Sequence, residues 1–445
     1  MRGLRSTFIL LLVLLGLLGY IYFVEMKKPN PSEQAAQRQK VFTVEADKIE
    51  EIEVKAASGE RTVLKKSGGA WAITEPAAVK ADEGEATSLT TNLASLEIQR
   101  VVDEKPADLA QFGLAKPRVE VAFRKAGQAA AERLLLGDKN ATGGENYAKL
   151  AGAARIFLVS SYLENTFDKG TFALRDKSVL TFQRDKVDAL EIVTADGRLA
   201  FAKPGDRWVM TSPEPVRVDA TQVEGTVGRL QTLAMKSIVA PDAPDADLAK
   251  YGLDKPAVTA TVGAGSARSV LAVGKAAPSG DLYARDVSRR MVVTVDASLL
   301  DELKKKADAY RPKDVFEFRS YTATRIEVTR GATTIAFEKT AGKDGSLKWK
   351  RVSPAKDVDT NQVDGLLGAL SGLVADSYVD AKAKTGTEAP VAVVSARFDD
   401  GKKEERVVFG KVGSDIFASR PGEPGAAKVE AAKFDDAMKA LDAIK

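Results

Sequence analysis

The chain contains no cysteine and no histidine among its 445 residues. Without cysteine there is no disulfide, no thiolate metal site, no thiol nucleophile and no lipid-modified cysteine. Without histidine the commonest general base, the commonest transition-metal ligand and the Ser-His-Asp triad are all excluded. Charge of one sign is also lacking. Residues 1–28 carry Arg2, Arg5, Lys27 and Lys28 against Glu25, and the remainder carries 62 basic and 61 acidic groups. A body so balanced gives no electrostatic reason to expect nucleic acid. Phosphate-binding loops are missing as well: Gly274-Lys275 lacks the earlier glycine and the hydroxyl of a P-loop, and Gly263-Ala-Gly265 lacks the third glycine of a dinucleotide fingerprint. No cofactor is expected.

Long apolar runs are rare, and the one of near-spanning length is Phe8 to Val24, 17 uncharged residues. As a helix it would span roughly 26 Å, a little short of a bilayer core of about 30 Å. Tyr20, Tyr22 and Phe23 sit where an aromatic belt belongs, and Lys27 and Lys28 can reach the headgroups. No small-x-small cleavage site follows, so the run reads as an uncleaved anchor rather than a signal peptide. The expected layout is a cytoplasmic tail at 1–7, an anchor at 8–24 and a polar linker at 25–40, with the body on the extracytoplasmic side.

Tryptophan occurs three times and opens the same phrase each time, Trp71-x4-Pro76, Trp208-x4-Pro213 and Trp349-x4-Pro354. The intervals of 137 and 141 residues are those of domains. Three units follow, at 41–182, 183–318 and 319–445. Each opens on alternating apolar residues of strand period, such as Ile49, Ile52 and Val54. Each then places Asp82, Asp219 or Asp359 three residues before Glu or Gln, a capping-box arrangement, followed by leucines and valines at helical spacing. Phe112-Gly113-Leu-Ala-Lys-Pro117 and Tyr251-Gly252-Leu-Asp-Lys-Pro256 predict a turn in which Gly113 and Gly252 supply positive φ; the third copy departs, with Thr385-Gly-Thr-Glu-Ala-Pro390. Strands ending in Gly137, Gly274 and Gly410 come next. The seams Arg175-x-Lys177-x-Val179-x-x-Phe182 and Arg311-x-Lys313-x-Val315-x-x-Phe318 close the first two copies. The fold expected is α+β: three tandem repeats, each a mostly antiparallel sheet with one main packed helix. In an alternative, the seam strands complete the next unit's sheet.

This ordered set of motifs resembles the bacterial DUF4340 family, whose members carry the unit in tandem behind one membrane helix. The resemblance implies a location at the inner membrane with the body in the periplasm. It also implies association with membrane subunits of gliding-motility-type ABC transporters. It implies no catalytic residue.

The residues themselves offer little chemistry. Asp242, Asp245 and Asp247 lack the order of a calcium loop and read as a turn and helix cap. Asp103-Glu104 and Asp399-Asp400 are adjacent in sequence, which does not set two carboxylates across a cleft. Lys66-Ser67 and Lys177-Ser178 lie in exposed-looking stretches, whereas a catalytic lysine must be desolvated. The tryptophans read as core. Tyr147 with Lys149, and Tyr283 with Arg285, place an aromatic and a cation on one strand face and are the candidate contact surface. The function expected is a non-catalytic, membrane-anchored scaffold or accessory subunit of an ABC-type transporter. A glycan- or envelope-ligand-binding module and a hydrolase stand as alternatives.

Overall fold

The computed structural model describes residues 39–341 and 347–444. The expected tail, the anchor and all but the last two residues of the linker lie outside them. Among the described residues no helix is long and apolar enough to cross a membrane.

The alternating residues that open the first repeat form the hairpin β1 (Ile49–Lys55) and β2 (Arg61–Ser67). Ile52 and Val54 are fully buried, as the period of two requires, and Ile49 joins them because the register with the neighbouring strand shifts between Ile49 and Glu51. The tryptophan phrase is β3 (Ala70–Glu75), and β4 (Val79–Lys80) ends the meander. Helix α1 (Glu83–Ala94) follows, with Asp82 accepting from the Glu85 backbone N–H at 3.1 Å. Leu89, Leu93 and Leu96 are buried, and each stabilises by about 1.5–3 kcal/mol. The chain continues through β5 (Arg100–Asp103), β6 (Val119–Lys125), β7 (Glu132–Lys139), β8 (Glu145–Leu150) and β9 (Ile156–Ser160), then short helices α2 (Tyr162–Phe167) and α3 (Thr171–Leu174).

Across the sheet the order is β4-β3-β2-β1-β6-β7-β8-β9-β5, and every pairing is antiparallel. Two meanders therefore meet at β1 and β6, and α1 carries the chain from one edge strand to the other. Two further nine-stranded sheets repeat this order strand for strand, with Ala220–Gln231 and Thr360–Ser371 in the place of α1. The described chain is an α+β array of three tandem repeats.

Three details depart from the sequence expectation. The third repeat has two substantial helices, because Phe434, Ala437, Met438 and Leu441 give Ala431–Ala443 a buried stripe at helical spacing. The capping box is not reciprocal: the N–H of Asp82 donates to the Leu174 carbonyl (2.9 Å) and that of Asp219 to the Tyr310 carbonyl (2.8 Å). The chain's exit from each repeat thus takes the donor that a glutamate or glutamine would have met, and Glu85 pairs with Lys169 instead. Finally, the aromatic-Gly-Leu turn persists in the third repeat without its sequence signature. Gly386 has φ +69°, beside +67° at Gly113 and +68° at Gly252.

By its internal contacts the chain divides into two compact units, one up to Lys177 and one from Ser178 onward. The seam residues explain where the division falls. The N–H of Val179 donates to the Leu233 carbonyl and that of Val315 to the Leu373 carbonyl, both at 3.0 Å, behind the helix of the repeat that follows. Val41 does the same for the first repeat, on Leu96 at 2.8 Å. Among the described residues Ser178 and Asp314 form isolated bridges, with Ala234 and Val374, rather than a further strand. Val315, Phe316 and Phe318 lie in the third core.

Candidate functional site

Within the second unit, a network of arginines and glutamates gathers where the second repeat meets the third. Arg217, on the edge strand Val216–Arg217, donates to Glu317 in the seam at 2.8 Å and pairs with Glu423 in a loop of the third repeat. Arg420 pairs with buried Glu405 and donates to the Val315 carbonyl at 2.7 Å. Glu405 also accepts the backbone N–H of Glu317 at 3.0 Å and of Phe318 at 2.8 Å. One carboxylate thus ties the seam to strand Lys403–Val412. Charge-assisted bonds of this kind are roughly twice as strong as neutral ones.

Arg311 is the least satisfied member. Its side chain is 9% exposed, its guanidinium carbon lies 3.6 Å from the Tyr378 ring centroid, and its nearest carboxylate, Glu423, is 4.0 Å away and shared with Arg217. The Tyr378 hydroxyl donates to the Pro312 carbonyl at 2.6 Å, which fixes the ring. Burial pulls the Arg311 pKa below the usual arginine value and pushes that of Tyr378 up. Burial also opposes the charges of Arg217 and Glu317. There the partners prevail: Glu423 and Glu317 hold Arg217 above its ordinary value, and Arg217 holds Glu317 below its own.

Two clefts adjoin the network. One, of about 720 Å³, is lined by Arg207, Arg217, Lys313 and Arg319 and by Asp206, Asp219, Asp314 and Glu317. Most of these are engaged: Arg319 with Asp314, Arg207 with Glu317 at 4.0 Å, and Asp219 as the cap of Ala220–Gln231. The other, of about 410 Å³, runs beside Arg311 and Tyr378. The network combines charge pairing with ring stacking, which suits holding two repeats in register.

The residues singled out from sequence lie elsewhere. Trp71, Trp208 and Trp349 are core residues, at most 5% exposed. The indole N–H of Trp208 donates to Glu224 at 2.7 Å and that of Trp349 to Asp364 at 3.0 Å, both on the packed helix. Pro76, Pro213 and Pro354 each follow a cis peptide bond. Tyr147 packs edge-on against Phe112 with centroids 5.0 Å apart, and Tyr283 against Tyr251 at 5.1 Å. The aromatic-Gly-Leu turn and the Tyr-Ala-cation strand, noted separately in the sequence, are therefore one packing unit. Their cations turn inward. Lys149 is buried, with its Nζ donating to the Leu150 carbonyl at 3.2 Å, and Arg285 lies 3.7 Å from Asp245 with its side chain 12% exposed.

The aspartates considered as calcium ligands are split among separate partners. Asp242 pairs with Arg290 at 2.8 Å, Asp247 with Lys250 at 2.8 Å and Asp245 with Arg285. Among the described residues no group of three or more potential metal ligands occurs. Asp399 and Asp400, both at positive φ, form a hairpin turn. Lys177 donates to the Ala173 carbonyl at 2.7 Å. The junction network itself was missed. Its only sequence signal was the recurrence of arginine in the seams, since Arg217 and Glu423 stand 206 residues apart.

These features define a tandem-repeat protein whose unit is a nine-stranded antiparallel sheet carrying one crossover helix. The chain belongs to the family described as "Domain of unknown function (DUF4340)", which matches residues 71–207 and 208–392. Both matches begin at a repeat's tryptophan, so the family unit is counted from the third strand of a sheet. No curated protein matches the chain. Among solved structures it is similar to a DNA polymerase sliding clamp from Pseudomonas aeruginosa, 9% identical over 90% of this chain and 95% of that one, with a TM-score of 0.17. The same clamp with ligand gives 10% identity over the same shares and a TM-score of 0.16. At such scores the likeness carries no argument about fold or function.

Proposed function

We propose that this protein is a single-pass membrane-anchored extracytoplasmic scaffold, a non-catalytic accessory subunit of an ABC-type transport complex. The observation that carries the reading is the engagement of the charges at the junction within the second unit. Arg217, Arg420, Glu317, Glu405 and Glu423 hold repeat to repeat, rather than standing free around a cleft as acid–base chemistry requires. Family membership and the apolar run at 8–24 add to it. An anchored array raises the local concentration of its surfaces at the membrane, so weak contacts with a membrane partner suffice. A glycan-binding module draws less support, because the tryptophans that could stack on sugars are in the cores.

The test is crosslinking in intact cells, gentle solubilisation and mass spectrometry of the proteins that co-purify. Membrane subunits of an ABC transporter in stoichiometric amount are expected. Recovery of the chain alone, or with wall fragments only, would overturn the proposal.

A further inference from the structure

The groove of about 410 Å³ beside Arg311 lies between the edges of two sheets. Val216 belongs to the edge strand Val216–Arg217 of the second sheet, and Tyr378 and Val379 to the edge strand Ala375–Val379 of the third. The Ala375 N–H is taken by the Lys313 carbonyl at 2.7 Å; farther along, at Tyr378 and Val379, the strand borders the groove. An edge strand offers a row of main-chain donors and acceptors to an added strand. Met210, Pro213, Val216 and Ala307 make the lining apolar.

Charge narrows what would fit. Glu214, Asp308 and Asp380 also line the groove, and among the described residues none of them forms an ion pair. Most carboxylates of the adjoining network and cleft, by contrast, are paired. Against these three acids stands one guanidinium, that of Arg311, which is more than nine-tenths buried and stacked on Tyr378, so the accessible charge of the groove is acidic.

We infer that the groove docks an extended, basic segment of a partner protein by strand addition. Main-chain bonds form along the sheet edges, and Glu214, Asp308 and Asp380 receive its lysine or arginine side chains. Apolar residues alternating with basic ones place the first set against the apolar lining at Pro213 and Ala307 and the second at the carboxylates. This deepens the scaffold proposal and rests on it for the partner's identity alone.

The test uses the full chain in a neutral detergent and two fluorescent, end-blocked heptapeptides, one alternating valine with lysine and one valine with glutamate. Fluorescence anisotropy should show the lysine peptide binding at least about tenfold more tightly. Glu214→Gln with Asp380→Asn should weaken it about tenfold, and Glu214→Lys with Asp380→Lys should reverse the preference. Glu50→Gln with Glu104→Gln, which removes two exposed charges from the first repeat, should leave binding unchanged. Equal binding of the two peptides, or an affinity that the groove variants do not move, would overturn the inference. Failure here alongside recovery of transporter subunits in cells rejects the groove and leaves the scaffold standing. The converse pair of results rejects the transporter partner and leaves the groove.

Discussion

The guanidinium of Arg311 lies flat enough on Tyr378 that its central carbon is 3.6 Å from the ring centroid. Arg311 sits at the start of the seam and Tyr378 on an edge strand of the third sheet, so the pair joins the exit of one repeat to the body of the next. A desolvated cation–π contact is worth about 2 kcal/mol, and the Tyr378 hydroxyl bond to Pro312 adds about 1 kcal/mol. Tyr378→Leu should therefore destabilise the second unit by about 2–3 kcal/mol, and Tyr378→Phe by about 1 kcal/mol. Urea unfolding of a Trp71→Phe background reads this directly, because its remaining tryptophans, Trp208 and Trp349, both belong to that unit. Equal losses for the two variants would mean that the ring contributes nothing to holding Arg311.

Acidification should loosen the same junction. Arg217 holds the Glu317 carboxyl below its ordinary value of 4.5, against the opposing effect of burial. A depressed folded pKa stabilises the folded state above the unfolded value, and that contribution is lost as pH falls through the folded one. The second unit should therefore lose stability as pH drops from about 5 towards 3. In Glu317→Gln the loss over that window should be shallower, at a cost of about 1–2 kcal/mol at pH 7. Unfolding midpoints across the pH series measure both, and parallel curves for the two proteins would remove Glu317 from the account.

How much of this was legible beforehand depends on sequence distance. The hairpin of Ile52 and Val54, the Asp82, Asp219 and Asp359 caps and the left-handed glycines are local devices, and each was readable within a few residues. The buried tryptophans were readable because a large ring recurring once per repeat needs a core. Pairing across the sheet centre was not, since alternation in Ile49–Lys55 says which face is buried but not that Val119–Lys125 lies beside it. The junction network was least legible. Charged residues carry no periodicity, and nothing near Arg217 in sequence points to Glu423. Lys149 and Arg285 misled for a related reason: alternation put them on the face of Tyr147 and Tyr283, but whether that face is covered depends on a turn more than thirty residues earlier.

Two glycines in the second repeat make opposite demands, and substitution should separate them. Gly274 does not end its strand, as the sequence suggests, but lies within Ala267–Ala276 against the turn at Tyr251, and a Cβ there would overlap the Tyr251 carbonyl oxygen. Its counterparts Gly137 and Gly410 stand in the same relation to the Phe112 and Thr385 carbonyls, which is why this glycine survives even where the turn's own sequence has changed. The obstacle is backbone on both sides and cannot swing away. Gly274→Ala should therefore cost about 1–3 kcal/mol, as overpacking does. Gly225 lies inside helix Ala220–Gln231, where an added Cβ meets nothing within 4 Å. There alanine restricts only the unfolded chain and improves helix propensity, so Gly225→Ala should stabilise by about 0.5–1 kcal/mol. Urea midpoints of the two variants should move in opposite directions. A Gly274→Ala protein as stable as the parent would show that the turn does not clamp the strand, and the Tyr251–Tyr283 contact would then have to hold the motif alone.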